Sequence, residues 1–456
     1  MLKILVLLLT CFFILSEVDA QLDVDKVNWI KQHAIPLEGI EAGHMSDASM
    51  ESLDSLFRNR RIVFLSEQTH YDGSTKNAQV AFVKYLHEHH GFNFLLLERG
   101  FVGTHQANFD IQNELDSVTG VFSWLLGNYG SFNHVSEQKL GRMIQNTVSS
   151  GRPIHIGGID IYETSVYVNS FDSLVGDWLS RLPKEDRETA IARARKFLGK
   201  NNRIVADVYY ERDSRLKYVR LSDHHEKMES VVADVMRVNV KANDADSIAY
   251  GNFLIQGLRS RYAQAVFEMG HRVRVREKMA FNPKSRMRDS IMAENLSYYL
   301  DNLPEEKFVV LVSSFHASKK QPTFSGRHKS DDTRPLAAYI DERYPGEVYS
   351  LGAIRYAGAL GENGDDRRTY EKIKPARKGS IEELIHRTGI SACVIDFSSP
   401  NIQGSWLNDE HVMTHREYAS RKDNWTEVFD GVLYIDMMKP EVLRGYYHIR
   451  NPRQPY

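Results

Sequence analysis

The chain has 456 residues, and its 58 lysines and arginines almost balance its 60 aspartates and glutamates, which gives a formal net charge of −2. This balance gives no sign of the strong basic excess typical of nucleic-acid-binding proteins, so no nucleic-acid partner is expected. A chain of this length can bury a large core without disulfide support.

Residues 1–20 have the pattern of a secretory signal peptide. Lys3 precedes an apolar run over residues 4–15, and Ala20 supplies the small residue expected before a cleavage site. The run is shorter than the roughly 20 residues that span a bilayer, and no other stretch is longer, so no membrane span is expected. These features predict an exported protein, periplasmic or secreted, with a mature chain of residues 21–456. This mature chain has one cysteine, Cys393.

The stretch from residue 62 to residue 98 predicts a βαβ unit. Its two ends, Ile62–Leu65 and Phe94–Leu97, are short unbroken apolar runs, typical of strands buried on both faces of a parallel sheet. Between them, apolar residues from position 78 to position 89 recur with the spacing of an amphipathic helix. Gly91 can provide the left-handed cap that ends this helix.

The remainder of the chain shows the same alternation of strand and helix patterns, which one helical segment interrupts. Further strands are predicted at residues 153–160, 308–312, 348–354, 392–397 and 432–435. Dense charge and helical periodicity over residues 171–279 predict a helical insertion, which could cover a site or form a solvated layer. The sequence therefore predicts an α/β domain over residues 21–456, with a mostly parallel central sheet flanked by helices.

Four predicted strands end in polar groups at what should be one edge of the sheet. Glu67 and His70 follow the first strand, Glu98 the second, Asp160 the third and His316 the fourth. Open α/β sheets bind ligands at this edge, so the convergence favours a functional site over isolated helix caps. A histidine can act as a general base near neutral pH, and a carboxylate three residues away can orient it.

Arg288 and Asn295 lie seven residues apart on a helix predicted from about Met287 to Leu300. This spacing places them on nearly the same face, together with apolar side chains that should point into the core. Buried polar groups need partners. Arg288 could therefore pair with a strand-end carboxylate or bind a substrate oxyanion, and a purely structural ion pair is equally compatible.

No strong metal motif is present. The string His87-Glu88-His89-His90 falls in the last turn of a predicted helix, where the histidines are expected to face solvent and complement the helix dipole. No cofactor is therefore expected. A divalent metal bound by Glu67, His70 and Asp160 remains an alternative, since all three side chains can be metal ligands.

The ordered set of motifs resembles the erythromycin esterase family. The family's Leu-Gly-Glu-x-Thr-His-Gly strand end resembles residues 65–71, and its Gly-x-Asp strand resembles residues 158–160. Its Arg-Asp-x-x-Met-x-x-Asn-Leu helix is matched in full by residues 288–296. The resemblance implies hydrolysis of a small-molecule ester or lactone by water activated on His70. It implies a catalytic set of His70, Glu67, Glu98, His316 and Arg288.

The chain also departs from the family pattern. Ser66, Tyr71 and Gln79 replace two glycines and a basic residue of the first motif, and Ser313 and Ser314 replace the histidine and asparagine that precede the last histidine. The resulting substrate-binding candidates are Asp160, Asn295, Ser313 and Ser314. Two alternatives stay open: a metal-dependent hydrolase of the wider superfamily, and a non-catalytic exported binding protein.

Overall fold

The computed structural model describes most of the predicted α/β domain. Apart from single positions between residues 226 and 267, the described residues are 23–40, 43–113, 135–162, 248–260, 283–322, 334–361, 370–402, 404–415 and 419–441. The predicted signal peptide and most of the predicted insertion over 171–279 lie outside these residues, so the domain boundaries stay predictions. Within the described residues, no helix is long and apolar enough to cross a membrane.

Nine strands form one mixed sheet with a parallel centre. In chain order they are β1 Ile35–Pro36, β2 Ile62–Glu67, β3 Phe94–Gly100, β4 His155–Asp160, β5 Phe308–Ser313, β6 Val348–Gly361, β7 Tyr370–Ile373, β8 Ala392–Asp396 and β11 Gly431–Met438. The spatial order is β1-β8-β11-β6-β2-β5-β3-β4, and β7 pairs with β6. The six strands from β11 to β4 are mutually parallel, which confirms the predicted fold class.

The helices flank the sheet, and a separate hairpin is formed by β9 His411–His415 and β10 Ala419–Asp423. The helices are α1 over residues 23–33, α2 Asp47–Phe57, α3 Gly73–His90, α4 Phe101–Gln112, α5 Val135–Ser149, α6 over residues 248–260, α7 Pro283–Asn302, α8 Ser314–Ala317, α9 Leu336–Arg343 and α10 Ile381–His386. The helix predicted between the first two strands is confirmed as α3, and Gly91 caps it with φ of 72°.

Alternate residues of β2 enter two different cores. Ile62 and Phe64 belong to one buried apolar cluster, whereas Val63 and Leu65 belong to a second cluster. Since side chains alternate across a strand, the two clusters lie on opposite faces of the sheet. The prediction that these apolar runs are strands buried on both faces is therefore confirmed.

The chain crosses from β2 to β3 without pairing them, because β5 lies between the two strands. The sequence predicted the βαβ unit but did not predict this inserted strand. The insertion places the end of β5, with Ser313 and the following α8, between the strand ends that carry Glu67 and Glu98. Topology thus brings together residues that are far apart in the sequence.

Gly158 permits a close approach of β4 to the end of β3, the strand that carries Glu98. The register between β3 and β4 shifts between Leu97 and Gly100, and such an irregularity can re-aim a side chain. A Cβ atom at position 158 would overlap the carbonyl oxygen of Gly100. We expect Gly158→Ala to lower the free energy of unfolding by about 1–3 kcal/mol, as overpacking does.

Chemical denaturation measures this loss, and Gly91→Ala is a matched control. A Cβ at Gly91 would meet no atom within 4 Å, so its cost comes only from the left-handed backbone, about 1 kcal/mol. If Gly158→Ala were no more destabilising than Gly91→Ala, the close approach would have no energetic significance.

Candidate active site

A cavity of about 470 Å³ opens at the carboxyl ends of β2, β3 and β4. One wall consists of groups predicted from the sequence, namely Glu67, His70, Glu98, Asp160 and Arg288. A second group of lining residues, which we call the second wall, comes from α3 and α5 and includes Lys76, Gln79, Val80, Ser136, Glu137 and Leu140. The cavity is therefore a cleft with one wall of charged groups and a second wall of mixed chemistry.

Glu67 and His70 form a hydrogen-bonded pair at this cavity. Glu67 is the last residue of β2, and His70 lies in the turn before Asp72, whose side chain caps α3. His70 Nδ1 donates to Glu67 Oε1 over 2.5 Å, which leaves Nε2 as the nitrogen able to accept a proton. The Glu67 side chain is 12% exposed, whereas that of His70 is 59% exposed and can reach water.

The pair shifts the pKa of each member. The negative charge of Glu67, together with its hydrogen bond, raises the pKa of His70 above its ordinary value. Burial alone would raise the pKa of Glu67, but attraction to His70 and Lys76 outweighs burial and lowers it. Glu67 is thus a carboxylate at neutral pH and can both orient His70 and stabilise its protonated form.

Arg288 joins the ends of β3 and β4. Its Nε and Nη2 atoms donate to the two carboxylate oxygens of Asp160 over 3.0 and 2.7 Å, and Nη2 also donates to Glu98 Oε1 over 2.7 Å. Burial opposes the guanidinium charge, but Asp160 and Glu98 outweigh it and raise the pKa of Arg288. The guanidinium lies 5.3 Å from the ring centroid of Tyr162. Arg288 is therefore a fixed cation on the cavity wall.

His316 lies behind Glu98 as a second buried cation. Its Nε2 is 3.4 Å from Glu98 Oε1, and its Nδ1 is 2.6 Å from Asp289 Oδ1. Burial would lower the pKa of His316, but the two carboxylates raise it to about 9. Asp289 in turn accepts the backbone N–H of Leu336. His316 is therefore protonated at neutral pH, which suits a fixed charge rather than a general base.

These groups form a row of alternating charge, in the order Asp160, Arg288, Glu98, His316 and Asp289. Burial would raise the pKa of Glu98, but the cations beside it hold that pKa well below its usual range. Its second oxygen accepts the backbone N–H of Ser313 over 3.0 Å. Each buried charge in the row thus has a neighbour of opposite charge, as burial in a protein interior requires.

Three predicted substrate-binding residues do not line the cavity. Asn295 is fully buried, donates to the carbonyl oxygen of Ile159 over 3.0 Å and accepts from Gln256 over 2.8 Å. Ser313 meets Glu98 through its backbone, and Ser314 is buried in α8. Asn295 thus fixes the end of β4, while the predicted substrate contacts of these residues stay predictions.

Sequence reasoning missed the second wall of the cavity apart from Gln79, which it noted only as a departure from the family pattern. Lys76 Nζ lies 2.9 Å from Glu137 Oε1, and both side chains are mostly buried. Gln79 donates to the carbonyl oxygen of Leu65 over 3.2 Å, so it supports the strand that carries Glu67. Residues 76 and 137 come from different helices and share no motif, so no local pattern could reveal their pairing. Asp289, in contrast, could have been predicted as a member of the site, because it follows Arg288 within one motif.

The prediction that the histidines at the end of α3 face solvent is confirmed for His89, which is exposed, and is wrong for His87 and His90. His87 is 4% exposed with Nδ1 3.3 Å from the carbonyl oxygen of Phe92, and His90 packs with Nε2 2.9 Å from the Tyr85 hydroxyl. The His90 ring also packs edge-on against the rings of Phe57 and Tyr85. Among the described residues, no group of three or more histidines, cysteines or acidic residues could hold a metal ion.

Comparison with known protein sequences relates the chain to one family and to one curated protein. The family model described as erythromycin esterase matches residues 87–438. The chain is similar to YbfO of Bacillus subtilis (strain 168), a protein named as a candidate hydrolase, with 24% identity over 91% of this chain and 92% of that protein.

Solved structures share the fold. A Bacillus cereus protein superposes with a TM-score of 0.73 at 16% identity, covering 93% of this chain and 99% of that one. A histidine-to-asparagine mutant of the erythromycin esterase EreC, in its open conformation, gives a TM-score of 0.61 at 16% identity, covering 90% and 98% of the two chains.

Proposed function

The chain belongs to the erythromycin esterase family and is a hydrolase, and from this premise we propose that it cleaves a carboxylic ester or lactone in a small molecule. The observation that carries the proposal is the Glu67–His70 pair at the cavity, with an exposed imidazole whose Nδ1 is already bonded. A histidine held in this way presents Nε2 to a water molecule that is placed against the substrate carbonyl.

In the proposed reaction, His70 Nε2 takes a proton from water while the water oxygen forms a bond to the carbonyl carbon. Glu67 stabilises the imidazolium that results. The carbonyl oxygen becomes negative, and Arg288 supplies a fixed positive charge on the same cavity wall. The carbon–oxygen bond to the alcohol then breaks, and the imidazolium returns its proton to the departing oxygen.

A panel of aryl esters, alkyl esters and lactones tests the proposal with purified protein. Hydrolysis of at least one class, with release of the acid and the alcohol, is the expected result. The absence of turnover across the whole panel would favour the binding-protein alternative, which the same compounds can test through equilibrium binding.

We expect this activity to survive removal of divalent metals. The carboxylates of Glu98 and Asp160 are both bonded to Arg288, and that of Glu67 is bonded to the His70 imidazole, so a metal would have to displace those partners. The measurement is turnover before and after treatment with a chelator. Loss of activity that returns with zinc or manganese would instead establish the metal-dependent alternative.

We also propose that the protein is exported, on the basis of the signal-peptide pattern in residues 1–20. N-terminal sequencing of the protein from the host's exported fraction is expected to begin at Gln21. Recovery of the protein with Met1 in place would contradict cleavage.

A further inference from the structure

The last described residues of the chain cross the loop that carries His70. The segment considered is Lys439–Glu441, which we call the C-terminal strap. Asp72 and Pro440 form an isolated antiparallel bridge, and the N–H of Glu441 donates to the carbonyl oxygen of Tyr71 over 3.1 Å. The strap therefore contacts the residue that directly follows His70.

Further bonds tie the strap to the start of α3. The backbone N–H groups of Gly73 and Ser74 donate to the carbonyl oxygen of Lys439 over 3.1 and 3.3 Å. The N–H of Lys439 donates to the Ser74 hydroxyl over 2.9 Å. A Cβ atom at position 73 would lie only 2.6 Å from the carbonyl oxygen of Pro440, so the two backbones touch here.

The side chain of Glu441 points to a different element. Its Oε1 accepts the backbone N–H of Ser136 over 3.0 Å, and its Oε2 accepts the Ser136 hydroxyl over 2.8 Å. Ser136 is in the first turn of α5, where backbone N–H groups have no partner within the helix. A carboxylate is well suited to this position, since the helix dipole is positive there.

The helix that Glu441 caps forms the second wall of the cavity. Glu137 follows Ser136 directly and pairs with Lys76 of α3, and Leu140 lies one turn further on. Glu441 is 5% exposed, so its carboxylate is well shielded from water. One residue thus bonds to the His70 loop through its backbone and to the second wall through its side chain.

We propose that Glu441 is a positioning residue that fixes the second wall of the cavity against the loop bearing His70. This inference rests on the proposed hydrolysis for its catalytic consequence, but the mechanical link can be measured without substrate. Glu441 has no hydrogen bond to Glu67 or His70, so its hydrogen-bonded link to the site runs through Tyr71 and Ser136.

Hydrogen exchange tests the link in the full-length protein. In Glu441→Ala, amide exchange is expected to rise about tenfold in the segment 135–141, because a charge-assisted hydrogen bond is lost there. Exchange should also rise in the segment 71–75. Ser136→Ala, which removes only the hydroxyl, should raise exchange in 135–141 and leave 71–75 unchanged. Glu441→Gln keeps an acceptor for the Ser136 N–H and should restore most of the protection.

Asp430→Ala is a matched control, because Asp430 also accepts a backbone N–H, that of Ser350 over 2.8 Å, but does not line the cavity. It is expected to change overall stability without a selective change in either segment. If Glu441→Ala raised exchange uniformly, as Asp430→Ala should, Glu441 would be an ordinary stabilising residue and the proposal would be overturned.

Kinetics on a substrate from the panel provide the second readout. Glu441→Ala is expected to lower kcat/KM about tenfold, with recovery in Glu441→Gln, since a shift of the wall misplaces the substrate relative to His70. If Glu441→Ala raised exchange selectively in the two segments but left kcat/KM unchanged, the positioning role would be overturned. A wild-type protein that turns over no ester overturns the proposed function instead, and the exchange result then still decides whether Glu441 links the two walls.

Discussion

Replacing His70 with asparagine is expected to lower kcat about 10²- to 10⁴-fold on any ester or lactone that the protein hydrolyses. Asparagine keeps a similar size and a donor for Glu67, but it has no nitrogen that can accept a proton from water. Substrate binding should survive, because the rest of the cavity wall does not depend on the imidazole. Initial rates with the wild-type and variant proteins, together with a binding measurement, give both quantities.

The pH dependence provides an internal check on this role. His70 must be neutral to act as a base, so activity should fall as the pH drops through its pKa, which Glu67 raises. Glu67→Gln keeps a hydrogen-bond acceptor but removes the charge, so the acidic limb of its profile should move to lower pH. Equal rates for wild type and His70→Asn would show that another group activates water.

Much of the fold follows from local pattern. The apolar runs that became β2, β3, β4 and β5 were recognisable because strands buried on both faces have almost no polar residues. The polar residue after each run marked the sheet edge that holds the cavity. These predictions needed only neighbouring residues, and the structure places all four strands in the parallel part of the sheet, with β4 at its edge.

The parts that could not be predicted depend on contacts between distant segments. Glu441 caps a helix that begins about 300 residues earlier, and no local signal in the sequence joins it to Ser136. The same holds for the pairing of Lys76 with Glu137. The strands β1 and β7 were also missed, because two and four residues are too few to show a period.

Asn295 and Asp289 illustrate why a motif does not assign a role. Both belong to the helix motif that carries Arg288, yet neither lines the cavity. Asn295 bonds to the end of β4, and Asp289 faces His316 from the side away from Glu98. A recurrent polar pattern can thus reflect support for a site as well as contact with a substrate.

The row of buried charges has a consequence for stability. Removing one partner from such a row leaves a buried charge without compensation, which typically costs about 3–5 kcal/mol. His316 is the member whose charge can be removed by pH alone within the range where proteins stay folded. Titration of the intact protein therefore tests the row without any substitution.

We expect the free energy of unfolding to decrease by about 3 kcal/mol between pH 6.5 and pH 9. His316 has a pKa of about 9 in the folded protein and the ordinary value of 6.5 when unfolded. A raised pKa means that the folded state binds the proton more tightly, so the added stability is complete below pH 6.5. It is lost as the pH rises through 9, when Glu98 and Asp289 remain charged beside a neutral ring.

Denaturant titrations at half-unit steps of pH measure this decrease. In His316→Gln the decrease should largely disappear, because the amide cannot titrate, although the variant should be less stable than wild type at pH 6.5. His70→Asn is the matched control: its exposed imidazole is screened by water, so the decrease should persist when His70 is absent. A wild-type protein whose stability is constant from pH 6.5 to pH 9 would show that His316 is neutral in the folded state, and the alternating row would then lack its second cation.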